Sequence, residues 1–220
     1  MKRLASGRCE IALHELRAGA GPTLLALHAL GGSARDFAPL AAHWPGRVLA
    51  LDLAGHGASD WARGGAYSAE LHAADADAAL FEAGDAHLVG AGLGAYVALL
   101  LAGARPARVA AALLLPGRGL DGGGAAPDLD RAAERNAALL RMRDAREAAV
   151  RPAFDPLGLA CESDPRPPDY ARPYADAARR LLLAEDGGAR PPWWEAARGA
   201  AYAEPAPAEP RAALLRLLAA

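Results

Sequence analysis

The sequence has 220 residues, a formal net charge of −2, and 53% hydrophobic residues. This length fits one domain with its own core, and the balanced charge excludes the electrostatic attraction that drives nucleic-acid or anionic-membrane binding. No apolar run approaches the roughly 18 residues of a membrane span, and the first residues carry no secretory signal. We therefore expect a cytoplasmic protein without nucleic-acid or membrane partners.

Short apolar runs alternate with helical patterns, which is typical of a parallel sheet covered by helices on both faces. Strands are predicted over 22–28, 47–52, 86–90, 109–115 and 179–184, and helices over 68–83, 93–101, the segment that begins at the paired prolines 191 and 192, and 209–219. Between them lie a glycine-rich loop (117–128), a charged helix or helix pair (129–150) and a proline-rich irregular stretch (151–173). We expect one domain over 1–220, with 117–175 forming a small cap or an irregular insertion.

Three glycine-bearing turns follow three of the predicted strands. We name them the first turn (28–32, HALGG), the second turn (52–59, DLAGHGAS) and the elbow turn (90–94, GAGLG). Glycine lets the backbone approach a ligand closely. In an open parallel sheet, ligands bind outside the carboxyl ends of the strands, so the three turns mark the candidate site.

In this order and spacing, the turns resemble those of α/β-hydrolases of the esterase, lipase and haloperoxidase-like type. The first turn is similar to the family's oxyanion loop, and the second to its D-x-x-G-H-G-x-S loop. The elbow turn matches the nucleophile elbow, G-x-S-x-G, at every position except the serine. The resemblance covers 20–116 well and 179–219 in compressed form. It implies an α/β-hydrolase-like fold with a mostly parallel sheet, helices on both faces and a shortened C-terminal part.

Two parts of the family's catalytic triad are missing. The nucleophile position is Gly92, which has no side chain to attack a carbonyl. The family's histidine follows the last strand, but this chain has no histidine after His87. Glu185 or Asp186 could stand at the acid position, yet an acid alone activates no nucleophile. We therefore expect no serine-triad chemistry.

Other polar residues near the turns are candidates for a remaining function. Asp52 and His56 are either an acid–base pair facing the pocket or a hydrogen-bonded turn that serves the fold, and we favour the second interpretation. His28 is expected to brace the first turn. Ser33 and Ser59 could be relocated nucleophiles, although the matching serines of the family serve structural turns.

A pocket is expected between the first turn and the elbow turn. Its backbone N–H groups near Ala29, Leu30 and Leu93, with Gly31 and the space at Gly92, would accept a carbonyl or carboxylate unless the pocket has filled in.

Three functions remain open from the sequence. The first is a catalytically degenerate hydrolase homologue that binds a small molecule or acts as a scaffold. The second is an enzyme without a covalent step, such as a lyase, isomerase or cyclase, and the third is an esterase with a relocated nucleophile. No cofactor or metal is expected, because the elbow turn lacks the downstream acid of a dinucleotide fingerprint and Cys9 and Cys161 have no metal-ligand spacing. The partner class is a small molecule, and no pattern indicates an oligomeric state.

Overall fold

The computed structural model describes residues 1–7, 9–62, 66–120, 137–138, 140–141, 154–164, 166–188 and 190–219. These residues form an eight-stranded sheet in the order β1-β2-β4-β3-β5-β6-β7-β8. The strands are β1 (Lys2–Ser6), β2 (Cys9–Arg17), β3 (Thr23–Leu27), β4 (Val48–Asp52), β5 (Ala86–Ala91), β6 (Val109–Leu115), β7 (Leu181–Leu183) and β8 (Ala203–Pro205).

Six strands of the sheet, β3 to β8, run parallel, because every neighbouring pair among them is parallel. The N-terminal strands form an antiparallel hairpin whose second strand, β2, pairs antiparallel with β4. The carboxyl ends of β3, β4 and β5 therefore lie at the same edge, where the three glycine turns begin.

Helices cover both faces of the sheet. One face carries α1 (Ala38–Ala41) and α6 (Pro210–Leu218). The other carries α2 (Ala69–Ala83), α3 (Leu93–Ala104), α4 (Arg172–Ala177) and α5 (Pro192–Arg198). Helix α3 is buried almost all round, which explains why its sequence is a continuous run of small and apolar residues.

The fold class predicted from the sequence is confirmed: a mostly parallel sheet with helices on both faces. The five predicted strands and the helices over 68–83, 93–101 and 209–219 all have counterparts within a few residues. The hairpin β1–β2 and the strand β8 were not predicted. None of the helices in the described part of the chain is long and apolar enough to cross a membrane.

The segment predicted to be irregular, 151–173, is more ordered than expected where it is described. It contains short 3-10 helices at Pro156–Glu162 and Pro168–Ala171, followed by the start of α4. Each of these helices has a proline in its first two positions, where a missing N–H leaves no helical hydrogen bond unmade. The charged helix predicted over 129–150 lies almost entirely outside the described residues, as does most of the loop over 117–128.

Candidate functional site

The elbow turn has the sharp geometry that its sequence predicts. Strand β5 passes into α3 at Gly92, whose φ of +52° and ψ of −118° are disfavoured for residues with a side chain. A Cβ atom on Gly90 would lie 2.1 Å from the carbonyl oxygen of Gly94, and one on Gly94 would lie 2.1 Å from that of Leu27. The two flanking glycines are therefore required by close backbone contacts, and the strand–turn–helix arrangement is retained without the serine.

The space over Gly92 is filled by the chain itself. The carbonyl oxygen of Arg118 accepts hydrogen bonds from the backbone N–H of Leu30 and from that of Leu93, each at 3.0 Å. A Cβ atom on Gly92 would lie 2.2 Å from the same oxygen. The two N–H groups expected to bind a ligand's carbonyl are thus occupied by a backbone carbonyl, which lies where the side chain of a nucleophile would project.

We call residues 116–120 the plug, because they carry this carbonyl. The plug is held at its far end by Leu120, whose N–H donates to the carbonyl oxygen of Cys161 at 2.6 Å. The indole N–H of Trp193 donates to the carbonyl oxygen of Leu120 at 3.1 Å. Leu120 has a φ of +58°, the one positive φ of a non-glycine residue in the described part of the chain, so these bonds hold a strained backbone in place.

His28 joins the first turn to the second. Its Nδ1 lies 2.8 Å from the carbonyl oxygen of Ala29, and its Nε2 accepts the N–H of Leu53 at 3.0 Å. Because Nε2 is an acceptor, Nδ1 carries the proton and the ring is neutral. Complete burial lowers the pKa of His28, in agreement with this neutral form.

Asp52 is a buried acceptor for three donors. Its carboxylate oxygens accept the N–H of Ala34 at 2.7 Å and the N–H of Ala58 at 2.9 Å, and one of them lies 2.9 Å from Nε2 of His14. Its partner histidine is therefore His14 of β2 rather than His56. The acid–base pair, which was one of the two interpretations of Asp52 and His56, is not formed.

His56 lies in a separate buried aromatic group. Its ring stacks on Phe154 at 5.4 Å and lies 4.9 Å from the ring of His28 and 6.1 Å from that of His72. Its Nδ1 lies 3.1 Å from the carbonyl oxygen of Ala54, and its Nε2 has no hydrogen-bond partner among the described residues. Burial lowers the pKa of His56 to about 2, so the ring stays uncharged at neutral pH.

His72, to which the sequence assigned no role, has a pKa shifted in the direction opposite to that of His56. Its Nδ1 lies 3.4 Å from a carboxylate oxygen of Asp75. Burial by itself lowers the pKa of His72, but the interactions with Asp75 and Cys161 outweigh it and raise the pKa to about 9. Both cysteines, Cys9 and Cys161, are buried and free.

The two candidate serines serve turns. The hydroxyl of Ser59 donates to the carbonyl oxygen of Asp52 and accepts the N–H of Ala12 at 2.8 Å. Ser33 precedes a 3-10 helix at Ala34–Phe37, and its N–H donates to Asp36 at 2.9 Å.

The acid positions after β7 are exposed and paired with arginines. Glu185 lies 3.3 Å from Arg198, and Asp186 lies 2.6 Å from Arg190. The N–H of Gly188 and the side chain of Arg190 lower the pKa of Asp186. All six histidines precede residue 88, so none follows these acids in the sequence.

Two cavities flank the sheet edge. One of about 40 Å³ lies beside Gly92, between the plug and the tryptophans 193 and 194. The other, of about 380 Å³, lies on the face of α1 and α6. We call it the α1/α6 cavity; it is lined by His28, Ala29, Asp36, Phe37, Pro39, Leu40, His43, Ala91, Leu115 and Pro210. Among the residues that the structure describes, no group of histidine, cysteine or acidic side chains is arranged to hold a metal ion.

Solved structures with the same fold are numerous. A hydrolase from Pseudomonas aeruginosa PA01 is 21% identical, with a TM-score of 0.70 over 99% of this chain and 98% of that one. The bottromycin epimerase BotH in complex with bottromycin A2 is 24% identical (TM-score 0.65; 98% and 94% covered). The enol-lactonase from Burkholderia xenovorans LB400 is 21% identical (TM-score 0.68; 93% and 90% covered). None of the curated proteins matches this sequence.

The model of the "Alpha/beta hydrolase family" matches residues 24–219, nearly the whole of the chain. It therefore spans all three glycine turns, the plug and the last helix. The chain belongs to the alpha/beta hydrolase family.

Proposed function

We propose that this protein is a catalytically degenerate member of its family, which acts by binding a small molecule and not by serine-triad hydrolysis. The observation that carries the proposal is the carbonyl of Arg118, which takes both N–H groups of the Leu30 and Leu93 pair at 3.0 Å. In acyl transfer such a pair must be free to stabilise the oxyanion of the substrate. With a backbone carbonyl in that place and no side chain at Gly92, neither the nucleophile nor the oxyanion has room.

The surroundings of Gly92 support this proposal. The cavity beside it has a volume of only about 40 Å³, well below the roughly 300 Å³ at which ligand pockets usually begin. The acid positions are exposed and their ion-pair partners are arginines, whereas the acid of a catalytic triad orients a histidine.

The alternative of an enzyme without a covalent step has weaker support. One of the similar structures is that of an epimerase, so the fold also occurs in a protein that is not named as a hydrolase. Such chemistry needs a base with access to the substrate. His56 is fully buried and has a pKa lowered to about 2, and Asp52 is buried and already accepts three hydrogen bonds.

The test is ester turnover combined with active-site labelling. Purified protein is assayed with p-nitrophenyl acetate and butyrate against a heat-denatured control, and in parallel it is treated with a fluorophosphonate probe. We expect neither saturable turnover nor labelling. Heat-sensitive turnover with a label on Ser33 or Ser59 would overturn the proposal in favour of a relocated nucleophile.

The variant Gly92→Ser sharpens this test. If the serine were the only missing part, its return would give labelling. We expect none, because the new side chain meets the Arg118 carbonyl and no histidine follows the last strand. Labelling at residue 92 would mean that the plug moves aside and that the oxyanion site is intact beneath it.

A further inference from the structure

The lining of the α1/α6 cavity does not include Gly92, although Leu115 borders both this cavity and the smaller one beside Gly92. Its floor is formed by the ends of three parallel strands, at Ala29, Ala91 and Leu115, and its walls by the segment of α1 and by Pro210, the first residue of α6. Gly92 and the plug are not part of its lining. The cavity thus lies at the edge of the sheet where ligands bind in such folds.

The lining of the cavity is mainly apolar. Seven of its ten residues are alanine, proline, leucine or phenylalanine. His28 also contributes little polarity, because both of its ring nitrogens are already bonded to the backbone of Ala29 and Leu53. An apolar lining with few polar groups, at about 380 Å³, is typical of a site for a small molecule.

The polar groups lie at the mouth of the cavity. Asp36 and His43 line it and are both exposed. A second carboxylate, Glu209, stands next to Pro210, and its pKa is lowered by the N–H groups of Arg211 and Ala212 and, to a smaller extent, by His43. The lining includes no lysine or arginine. An anionic head group at this mouth would be repelled by Asp36, whereas a hydroxyl or ammonium group could donate to it.

From these contacts we propose that the α1/α6 cavity binds a small molecule with an apolar body and a hydrogen-bond-donating head group, an alcohol or an amine, and excludes carboxylic acids. The apolar body packs against the strand ends near Ala91 and Leu115, and the head group lies near Asp36. This inference rests on the proposed function only in treating the protein as one that acts by binding.

The experiment compares three probes that share one apolar body: cyclohexylmethanol, cyclohexylmethylamine and cyclohexanecarboxylate. Binding is measured by isothermal titration calorimetry and by line broadening in ligand-observed NMR. For ligands of this size we expect dissociation constants of about 1 mM or lower for the alcohol and the amine. The carboxylate should bind at least ten-fold more weakly, and equal or tighter binding of the carboxylate would overturn the proposal.

Two variants locate the binding. Ala91→Phe fills the floor of the cavity and should abolish binding of the alcohol, whereas Ala107→Phe, at an exposed position, is the matched control and should not. Asp36→Asn is the second variant, for the case in which Ala91→Phe fails to fold. It keeps a side-chain oxygen that can accept the N–H of Ser33, so we expect this variant to fold. It should bring amine and carboxylate affinities within about two-fold of each other by removing the charge.

The outcomes separate this inference from the proposed function. If the alcohol binds with the same affinity to wild type, to folded Ala91→Phe and to Asp36→Asn, it binds somewhere other than the α1/α6 cavity, and the inference is wrong. Ester turnover with serine labelling would refute the proposed function while leaving the binding measurements unaffected.

Discussion

At the scale of single residues, the absence of a side chain at Gly92 and the position of the Arg118 carbonyl depend on each other. Gly92 leaves the room that the carbonyl of Arg118 takes, and that carbonyl lies 2.2 Å from where a Cβ atom would be. A serine could not simply be restored, because the plug would have to move first. This coupling explains how the elbow has its sharp backbone shape with glycine at position 92.

Gly92→Ala tests this coupling through stability. Two penalties are expected: a positive φ, which costs about 1 kcal/mol or somewhat more, and a clash with backbone atoms, which costs about 1–3 kcal/mol. Gly7→Ala is the control, since Gly7 has a similar φ of +55° and no atom within 4 Å of the added Cβ. In urea unfolding, Gly92→Ala should lose about 2 kcal/mol more than Gly7→Ala, and equal losses would show that the plug moves away easily.

Asp52 is the second residue for which the structure suggests a role in stability. Asp52→Ala leaves the N–H groups of Ala34 and Ala58 and the ring of His14 without their acceptor. Because an unsatisfied buried donor costs about 1–3 kcal/mol, and of the three donors only the N–H of Ala34 is fully buried, the free energy of unfolding should fall by about 2 kcal/mol. Asp176→Ala removes an exposed ion pair with Arg172 and should change it by less than about 1 kcal/mol. A small effect of Asp52→Ala would mean that the fold does not need Asp52, so a catalytic role for this residue would be open again.

At the scale of elements, the plug is the feature that occupies the N–H groups of Leu30 and Leu93. It fills the site with main-chain atoms, which every residue type carries, so no side-chain motif marks it in the sequence. The glycines at 117 and 119 predicted only a loop. The three glycine turns, by contrast, were predictable, because their close backbone contacts admit no other residue at positions such as Gly90 and Gly94.

The partner of Asp52 was missed for a related reason. His14 lies on β2, and β2 was not among the predicted strands, so Asp52 was compared only with the nearby His56. The apolar residues Cys9, Ile11 and Leu13 are spaced two apart and are buried, with the exposed Glu10 between the first two, although Ala12 is buried as well. This spacing is the signal that could have indicated the strand. Once β2 is placed beside β4, His14 lies near the carboxyl end of β4, where Asp52 is the last residue.

Trp193→Phe tests whether the plug is held as one unit. The change removes the N–H that donates to the carbonyl of Leu120 and should make the plug open more often. The amides of Leu30 and Leu93, which donate to Arg118, should then exchange with solvent faster, by roughly five-fold for a bond of about 1 kcal/mol.

The control for this measurement is Trp44→Phe. Trp44 also donates its indole N–H to a backbone carbonyl, that of Pro22 at 2.7 Å, but it lies on the other face of the sheet among the residues near α1. Its loss should leave exchange at Leu30 and Leu93 unchanged. If both variants accelerate these amides equally, their protection reflects global stability and not the plug.

At the scale of the whole molecule, buried histidines make the stability depend on pH in two directions. The rings of His28, His56 and His72 form a continuous group beneath the turns. The pKa of His28 and that of His56 are lowered by burial, the latter to about 2, whereas that of His72 is raised to about 9. The group therefore contains two rings, His28 and His56, that are neutral at neutral pH beside one, His72, that is protonated.

The free energy of unfolding should accordingly be greatest near pH 6.5, which is about the pKa of a histidine in the unfolded chain. Below it the unfolded chain binds protons that the folded His28 and His56 do not, so stability falls as the pH falls. Above it the unfolded chain loses the proton that folded His72 keeps, so the stabilisation from His72 is full below pH 6.5 and is lost as the pH rises towards 9. Each limb should approach about 1.4 kcal/mol per pH unit for every proton involved.

Urea unfolding between pH 5 and pH 8.5 measures both limbs, and His72→Gln should flatten the alkaline limb while leaving the acid limb in place. A stability that rises steadily across this range would mean that His72 is neutral in the fold, and that its contact with Asp75 joins a carboxylate to an uncharged ring.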